Sequence, residues 1–552
     1  MRGVAAALIA ASFLAGCTKS GGETETAGGQ HPWTQPGLLR IGENQDANTL
    51  VPELATSTMP LDVSMFVFSY AVRYDQNAKP VPDALSEIPT IENGDVSKDG
   101  LTLKYKLRPN IKWQDGQALT CTDLKFTWQM IMNPKSNVNT TDGFRDIKDI
   151  DCTNPIVAVV HMKRLYAPYL QQLWGVNGNA PILPEHILAK YNDDKGSINT
   201  APYNSLPVGS GPFKVVEWQR GTVVRMEANP NYYLGAPKLK EIQLKTLPDE
   251  NTLETQLQTH EIDMLAHGTG INWLRYKALG DDPKNGLKAI RVDSFQFAHI
   301  DFDIQHPVVN DVNVRRALAY ATNRQEVIDK IIHGSGEAAE TDQSPTLSWA
   351  YTKDIAHYPF DPAKARALLD ADGWKVGPDG IRVKNGQRLE FNYSTQTEST
   401  NGKAIQTLIQ RQWRDVGVQA DIKNAPTSVF FQNGTVGILE GGHYDAAGFS
   451  WSAAADPDDS SIYSGDNLAP QGQNSLFWNN AIATAAQHAA LGTVDQNERK
   501  KQYVIIQQQL ALDVPTIVLY FNKEPYVYNT DLQGFEPSAV ISPFWNPWEY
   551  SI

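Results

Sequence analysis

The sequence predicts a mixed α/β protein of several domains, and three observations carry that expectation. Short segments with strict two-residue alternation recur along the chain, capped helical patterns fall between them, and 552 residues exceed what a single core serves. A hydrophobic share of 41% is enough for two or three large cores. Beyond the N-terminus, no stretch is long and apolar enough to span a bilayer, and no tandem repeat or internal low-complexity linker divides the body.

The body begins near Leu38. Leu101 to Leu107 alternates strictly, placing Leu101, Leu103, Tyr105 and Leu107 on one strand face, with Asp99-Gly100 before it and Asp115-Gly116 after it as turn signals. Thr120 and Asp123 have capping-box spacing ahead of an apolar helix that ends at Asn133-Pro134. From Gly209 to Ala228 two apolar strands flank Gln219-Arg220-Gly221, a hairpin signal, and another strand, Leu239 to Thr246, leads into a helix over Asp249 to Gln258. Asp311 caps a helix through Val314, Leu318 and Ala321; Asn323 with Glu326 starts another, closing at His333-Gly334. Asp361-Pro362 opens a third, with Gly373 as its stop. Near the end, Gln502 to Leu512 reads as helix and Thr516 to Phe521 as a buried strand.

The first seventeen residues, MRGVAAALIAASFLAGC, carry one basic residue, an apolar run too short to cross a membrane, and small residues just before Cys17. Leu14-Ala15-Gly16-Cys17 resembles the lipobox of bacterial lipoproteins, which implies cleavage after residue 16 and acylation of Cys17, the alternative being an ordinary secretion signal. Residues 18–37 lack apolar periodicity and are expected to be a flexible tether. A net charge of -14 offers nucleic-acid phosphates no basic face. Beyond Cys17 only Cys121 and Cys152 remain, and in an oxidising compartment the expectation is a disulfide, with two buried thiols as the alternative.

Catalytic signatures fail when tried. His260-Glu261 begins a zinc-protease pattern, but Met264 stands where the second histidine belongs; Gly209-Ser210-Gly211 lacks the nucleophile-elbow spacing; and Gly402-Lys403 has no glycine placed for a phosphate loop. The eleven histidines are scattered without metal-ligand spacing, so the reading is not an enzyme, with no cofactor and no metal site.

Several segments, in order, resemble the extracytoplasmic solute-binding proteins of ABC importers, in the family of oligopeptide, dipeptide and nickel binders. The most specific is Asp99 to Trp128, with an alternating strand, Leu-Arg, an Asp-Gly turn and a Thr-x-x-Asp helix start, Cys121 standing where the family usually has alanine. The others are Gly209 to Phe213, Asn229 to Tyr233, Glu261 to Met264, His306 to Ala321 and Asp361 to Trp374. The resemblance implies the periplasmic-binding-protein-like type II fold, two lobes with hinge strands plus an additional domain. On that template residues 1–16 are a signal peptide, 17–37 the lipidated cysteine and tether, 38–66, 205–300 and 515–552 lobe I, 67–204 domain II, and 301–514 lobe II. It further implies closure over a ligand, delivery to separate ABC permease and ATPase subunits, a membrane attachment through the lipid anchor, and a monomer.

In the family's peptide binders, a Trp followed three residues later by Asp sits in the cleft, the carboxylate pairing with the peptide's ammonium. Here Trp451 is followed at that distance by Ala454, and the nearest acid is Asp456, which serves if the loop is shortened by a residue; the simpler reading is that Asp456-Pro457 is a turn. By position, Thr56, Ser57 and Thr58 match an extended segment that pairs with peptide backbone, and Phe144, Tyr520 and Phe521 match aromatic walls. Peptide is the first choice of ligand, with an oligosaccharide or a nickel chelate as alternatives, and a surface adhesion, chaperone or signalling lipoprotein as a different class of function.

Overall fold

The computed structural model describes residues 30–55, 57–266, 271–432, 434–538, 540 and 542–552. Cys17 and Thr56 lie outside the described residues.

Two strands dominate the architecture. Leu287–Phe302 and Thr516–Asn529 run antiparallel along their whole length, and each serves two blocks of the same eleven-stranded sheet. At one end Thr516–Asn529 continues, through Met264–Leu265, into Leu38–Glu43, Glu241–Thr246, Val223–Ala228 and Phe213–Gln219. At the other end Leu287–Phe302 pairs with Ala446–Ser452, which adjoins Glu390–Ser394 and Gln419–Ile422. The ladder between the two long strands loses register between Asp293 and Phe297, at the junction of the blocks. The molecule is therefore two lobes joined by a broken pair of strands.

Local chemistry explains the elements around this frame. Thr120 and Asp123 close a reciprocal capping box on Cys121–Ile131, and Asp311, Asn323 and Asp361 each accept a backbone N–H at the start of Val312–Ala321, Arg324–Lys330 and Pro362–Ala371. The hairpin Phe213–Gln219 with Val223–Ala228 turns where expected, Gly221 taking the left-handed conformation that glycine adopts without strain. Leu101 to Leu107 forms its strand over Thr102–Lys106; Leu103, Tyr105 and Leu107 are buried, while Leu101, beyond the strand end, is more than a third exposed.

A small antiparallel sheet of Thr102–Lys106, Ile147–Asn154 and Val157–Met162 packs on the first lobe, sharing one apolar core with Leu39, Ile41 and Phe66. Here the Cys121–Cys152 disulfide ties the first turn of a helix to an edge strand of that sheet. The second lobe has cores of its own, on either side of its strands, around Trp413 and Tyr393 on one face and around Trp478 and Tyr503 on the other. No helix among the described residues is long and apolar enough to cross a membrane.

Candidate functional site

A cleft of about 630 Å³ opens against the junction of the two lobes. The first lobe contributes Trp273 and Tyr276 from the helix Trp273–Asp281; the second contributes Tyr393, Thr395, Phe449, Ser450 and Tyr520. Around these rings the polar lining is chiefly amides and hydroxyls, among them Gln296, Gln396, Ser399, Asn401 and Asn522, joined by His299, His333, Lys523 and Glu524, with Ile271, Ile331, Ile332, Ile405 and Leu519 as apolar wall. Such a surface can stack and hydrogen-bond a ligand along its length without requiring it to be charged.

The polar wall is held rigid from behind. Thr395 is buried, its N–H donating to Asn424 Oδ1 at 3.0 Å and its hydroxyl to the Gly448 carbonyl at 2.8 Å. Gln406 reaches from the helix Thr400–Arg414 to the Tyr393 carbonyl, 2.8 Å, and to Asn424, 2.8 Å. Gly448 is a position where backbone must come close: a Cβ there would meet the Tyr393 hydroxyl at 2.9 Å.

The strand Ala446–Ser452 presents an open edge to this cleft. Its neighbour Glu390–Ser394 pairs only with Ala446 and Ala447, then turns away. The Ala453 N–H donates to the Phe295 carbonyl at 3.1 Å, so by the alternation of a strand Phe449 and Trp451 also turn their main-chain groups toward Leu287–Phe302. Gly448, Ser450 and Ser452 turn theirs the other way. The Gly448 carbonyl has the Thr395 hydroxyl, whereas Ser450 faces the cleft beyond the reach of the neighbouring strand.

The junction carries contacts between lobes. Arg291, on the first-lobe half of its strand, lies over the Trp273 ring at 4.4 Å and donates to the Gly334 carbonyl of the second lobe. Lys523 bridges Asp293 at 2.8 Å and Glu337 at 3.3 Å across the point where the ladder loses register. These carboxylates hold the Lys523 ammonium above its ordinary range, the Asp293 hydrogen bond being the largest cause.

The residues singled out in the sequence fall in different places. Tyr520 lines the cleft. Trp451, half-buried, lines a smaller neighbouring cavity with Phe449 and His299. Phe521 points from the opposite face of its strand into the second lobe's core, against Phe297, because consecutive strand residues alternate. Phe144 is core as well, edge-on to Trp174. Ser57 and Thr58 lie on the first lobe, their hydroxyls turned to the Asp46 carbonyl and Gln45, and do not line the cleft.

Asp456 is turned into the second lobe and does not line the cleft. Its carboxylate is buried and takes two hydrogen bonds from Arg499, whose guanidinium also lies 5.6 Å over Trp349. Its charge, second to burial, helps push up the Tyr74 phenol across the seam with the first lobe. The residues that sequence reasoning missed, Trp273, His299, Tyr393 and Thr395, carried no local signal, since they converge from three separate segments spread over more than a hundred residues.

Two lobes, two connecting strands and a cleft against the junction that touches both define a two-lobed binding protein of type II architecture, a receptor for a solute rather than an enzyme. Residues 49–472 match the model of the bacterial extracellular solute-binding proteins, family 5 Middle, and the chain belongs to that family. Among its relatives, the oligopeptide-binding protein AppA of Bacillus subtilis is 24% identical over 535 residues, 96% of this chain and 94% of that protein. The glutathione-binding protein GsiB of Salmonella typhimurium is 26% identical, covering 90% and 91%. The structure of NikZ from Campylobacter jejuni in complex with Ni(L-His) superposes with a TM-score of 0.73 at 26% identity, over 94% of this chain and 100% of that one.

Proposed function

We propose that this protein captures peptides in the interlobe cleft and hands them to an ABC permease, held at the outer face of a bacterial membrane by acyl chains on Cys17. The observation that carries the reading is the open edge at Ser450. An extended peptide can add to that edge through its own backbone, independent of its side chains, while the aromatic rings and amides around it take up the side chains. AppA and GsiB, both named for peptide-like ligands, support the same class of solute.

A ligand bridging the two lobes favours the closed arrangement by the difference of its contacts in the two states. With Asp456 committed to Arg499, that carboxylate has no part in reading a free amino terminus, and the open edge and the rings hold the peptide by its main chain and side chains. Tyr393, Phe449 and Tyr520 serve as aromatic contacts of the second lobe, while Trp451 lines the cavity beside the cleft.

Native mass spectrometry of the protein purified from its own cell envelope tests this. A retained mass that fragments as a peptide is expected; a hexose ladder or a metal chelate would overturn the peptide assignment. Cys17→Ala should leave uncleaved or misplaced protein, and unaltered acyl labelling of that variant would refute the anchor.

A further inference from the structure

Beside the main cleft, within the second lobe, lies a second cavity of about 160 Å³. His299, Phe431 and Phe449 line both, so the Phe449 ring stands as a partition between them, 4.3 Å from His299 and 5.7 Å from Phe431 by ring centroids. The rest of the chamber is walled by the apolar side chains Leu439, Trp451, Ile462 and Leu476, with Asp301, Glu440, Gln473 and Ser475 as its other polar lining. An apolar cavity of about 150 Å³ holds one benzene molecule, so this chamber is sized for a single aromatic side chain.

Among its polar groups, the buried one left with an unpartnered ring nitrogen is a histidine. His299 is 2% exposed, and its Nδ1 donates to Asp301 Oδ1 at 2.8 Å. A carboxylate only accepts, so Nδ1 carries a proton, and when the imidazole is neutral Nε2 is an acceptor. That Nε2 has no hydrogen-bond partner among the described residues. A buried acceptor without a donor costs free energy that a donor brought by a ligand would recover. The recovery is selective, because a ring of the same shape without a donor leaves the cost in place.

We infer that this chamber is a specificity subsite taking one aromatic side chain with a hydrogen-bond donor at its tip, a phenol foremost, the hydroxyl donating to His299 Nε2. This rests on the peptide reading only in assigning that side chain to a residue of a bound peptide.

The test uses the full chain and two sets of five alanine-based pentapeptides, each carrying a single tyrosine or a single phenylalanine at one of the five positions. At one position tyrosine should bind at least tenfold more tightly than phenylalanine by calorimetry. His299→Phe should abolish that ratio, and His299→Gln, whose amide oxygen still accepts, should retain part of it. The wild-type ratio stands as a test even where a variant fails to fold. If peptides bind and tyrosine never exceeds phenylalanine, the subsite is overturned while the peptide reading stands. If no peptide binds, p-cresol and toluene decide: a tenfold preference for p-cresol upholds the subsite and removes the peptide, and no preference overturns both.

Discussion

The Asp456 carboxylate and the Arg499 guanidinium meet fork to fork, Oδ2 lying 2.7 Å from Nη1 and Oδ1 2.6 Å from Nη2, both side chains more than nine-tenths buried. A planar pair of this kind fixes two segments against each other, here the loop after the strand Ala446–Ser452 and the helix Gln496–Asp513. Its surroundings carry aromatic rings from both lobes, which makes the pair part of the scaffold behind the ligand.

Removing one member strands the other's charge. Asp456→Asn is expected to lower stability by about 3–5 kcal/mol in urea denaturation, as for a broken buried ion pair. The variant's affinity ratio between free and N-acetylated peptides should match the wild type. A selective loss for peptides with a free amino terminus would restore Asp456 as the anchor.

The Cys121–Cys152 bridge closes a segment of 31 residues in sequence. In the chain-entropy model a loop of that size contributes about 3–4 kcal/mol by restricting the unfolded chain. The double variant Cys121→Ala, Cys152→Ala should lose stability of that order, read from the denaturation midpoint with an unchanged slope. Two thiols open to alkylation in the native protein would refute the bridge.

Asp342 and Asp459 are buried together in the second lobe, close enough for the charge of one to act on the other. Burial pushes the Asp342 carboxyl up to about 6, and burial followed by the charge of Asp342 raises that of Asp459. A carboxyl whose folded value lies above its unfolded value costs the fold stability at high pH, and the cost fades as pH falls through the folded value toward the unfolded one near about 4. The pair should therefore make the protein gain stability between pH 7 and pH 5. Asp459→Asn, which removes one charge, should shrink that gain; an unchanged difference between the two pH values in urea titrations would count against the assignment.

Closure across the junction should be visible in solution. Small-angle scattering is expected to give a smaller radius of gyration with bound peptide, and the melting temperature should climb with peptide concentration. Ligand at a hundredfold excess over its dissociation constant adds about 2.7 kcal/mol to the folded state. Tight binding with no compaction would argue that the lobes are already fixed.

Much of the fold was legible because its signals are local. The capping residues Thr120, Asp311, Asn323 and Asp361 and the turn at Gly221 need only a few neighbours to act. The strand from Thr516 was expected to end at Phe521 but runs to Asn529, because Lys523, Glu524 and Pro525 interrupt the apolar run where it crosses the junction half-buried. The helix before it begins at Gln496 rather than Gln502, its polar first turns capped by Asp495. The site was less legible. Tyr520 could be placed by position, but Phe521 and Phe144 are equally aromatic and face inward, and nothing in a linear pattern says which side of a strand meets a cavity. The role of Asp456 could not be read locally because its partner, Arg499, stands forty-three residues away.

The open edge at Ser450 has one more consequence, for the protein in the absence of solute. Unpaired main-chain groups along a strand are a template for any extended chain, including a stray segment of a second copy, so the feature that suits a ligand backbone is also an invitation to self-association. The hazard is contained by geometry: the strand stops at Ser452, Pro457 follows shortly after, and the edge is recessed between two lobes where a folded neighbour does not reach it. Lengthening that strand, or holding the lobes apart, would turn a receptor into an aggregating species, which gives closure a protective value apart from transport.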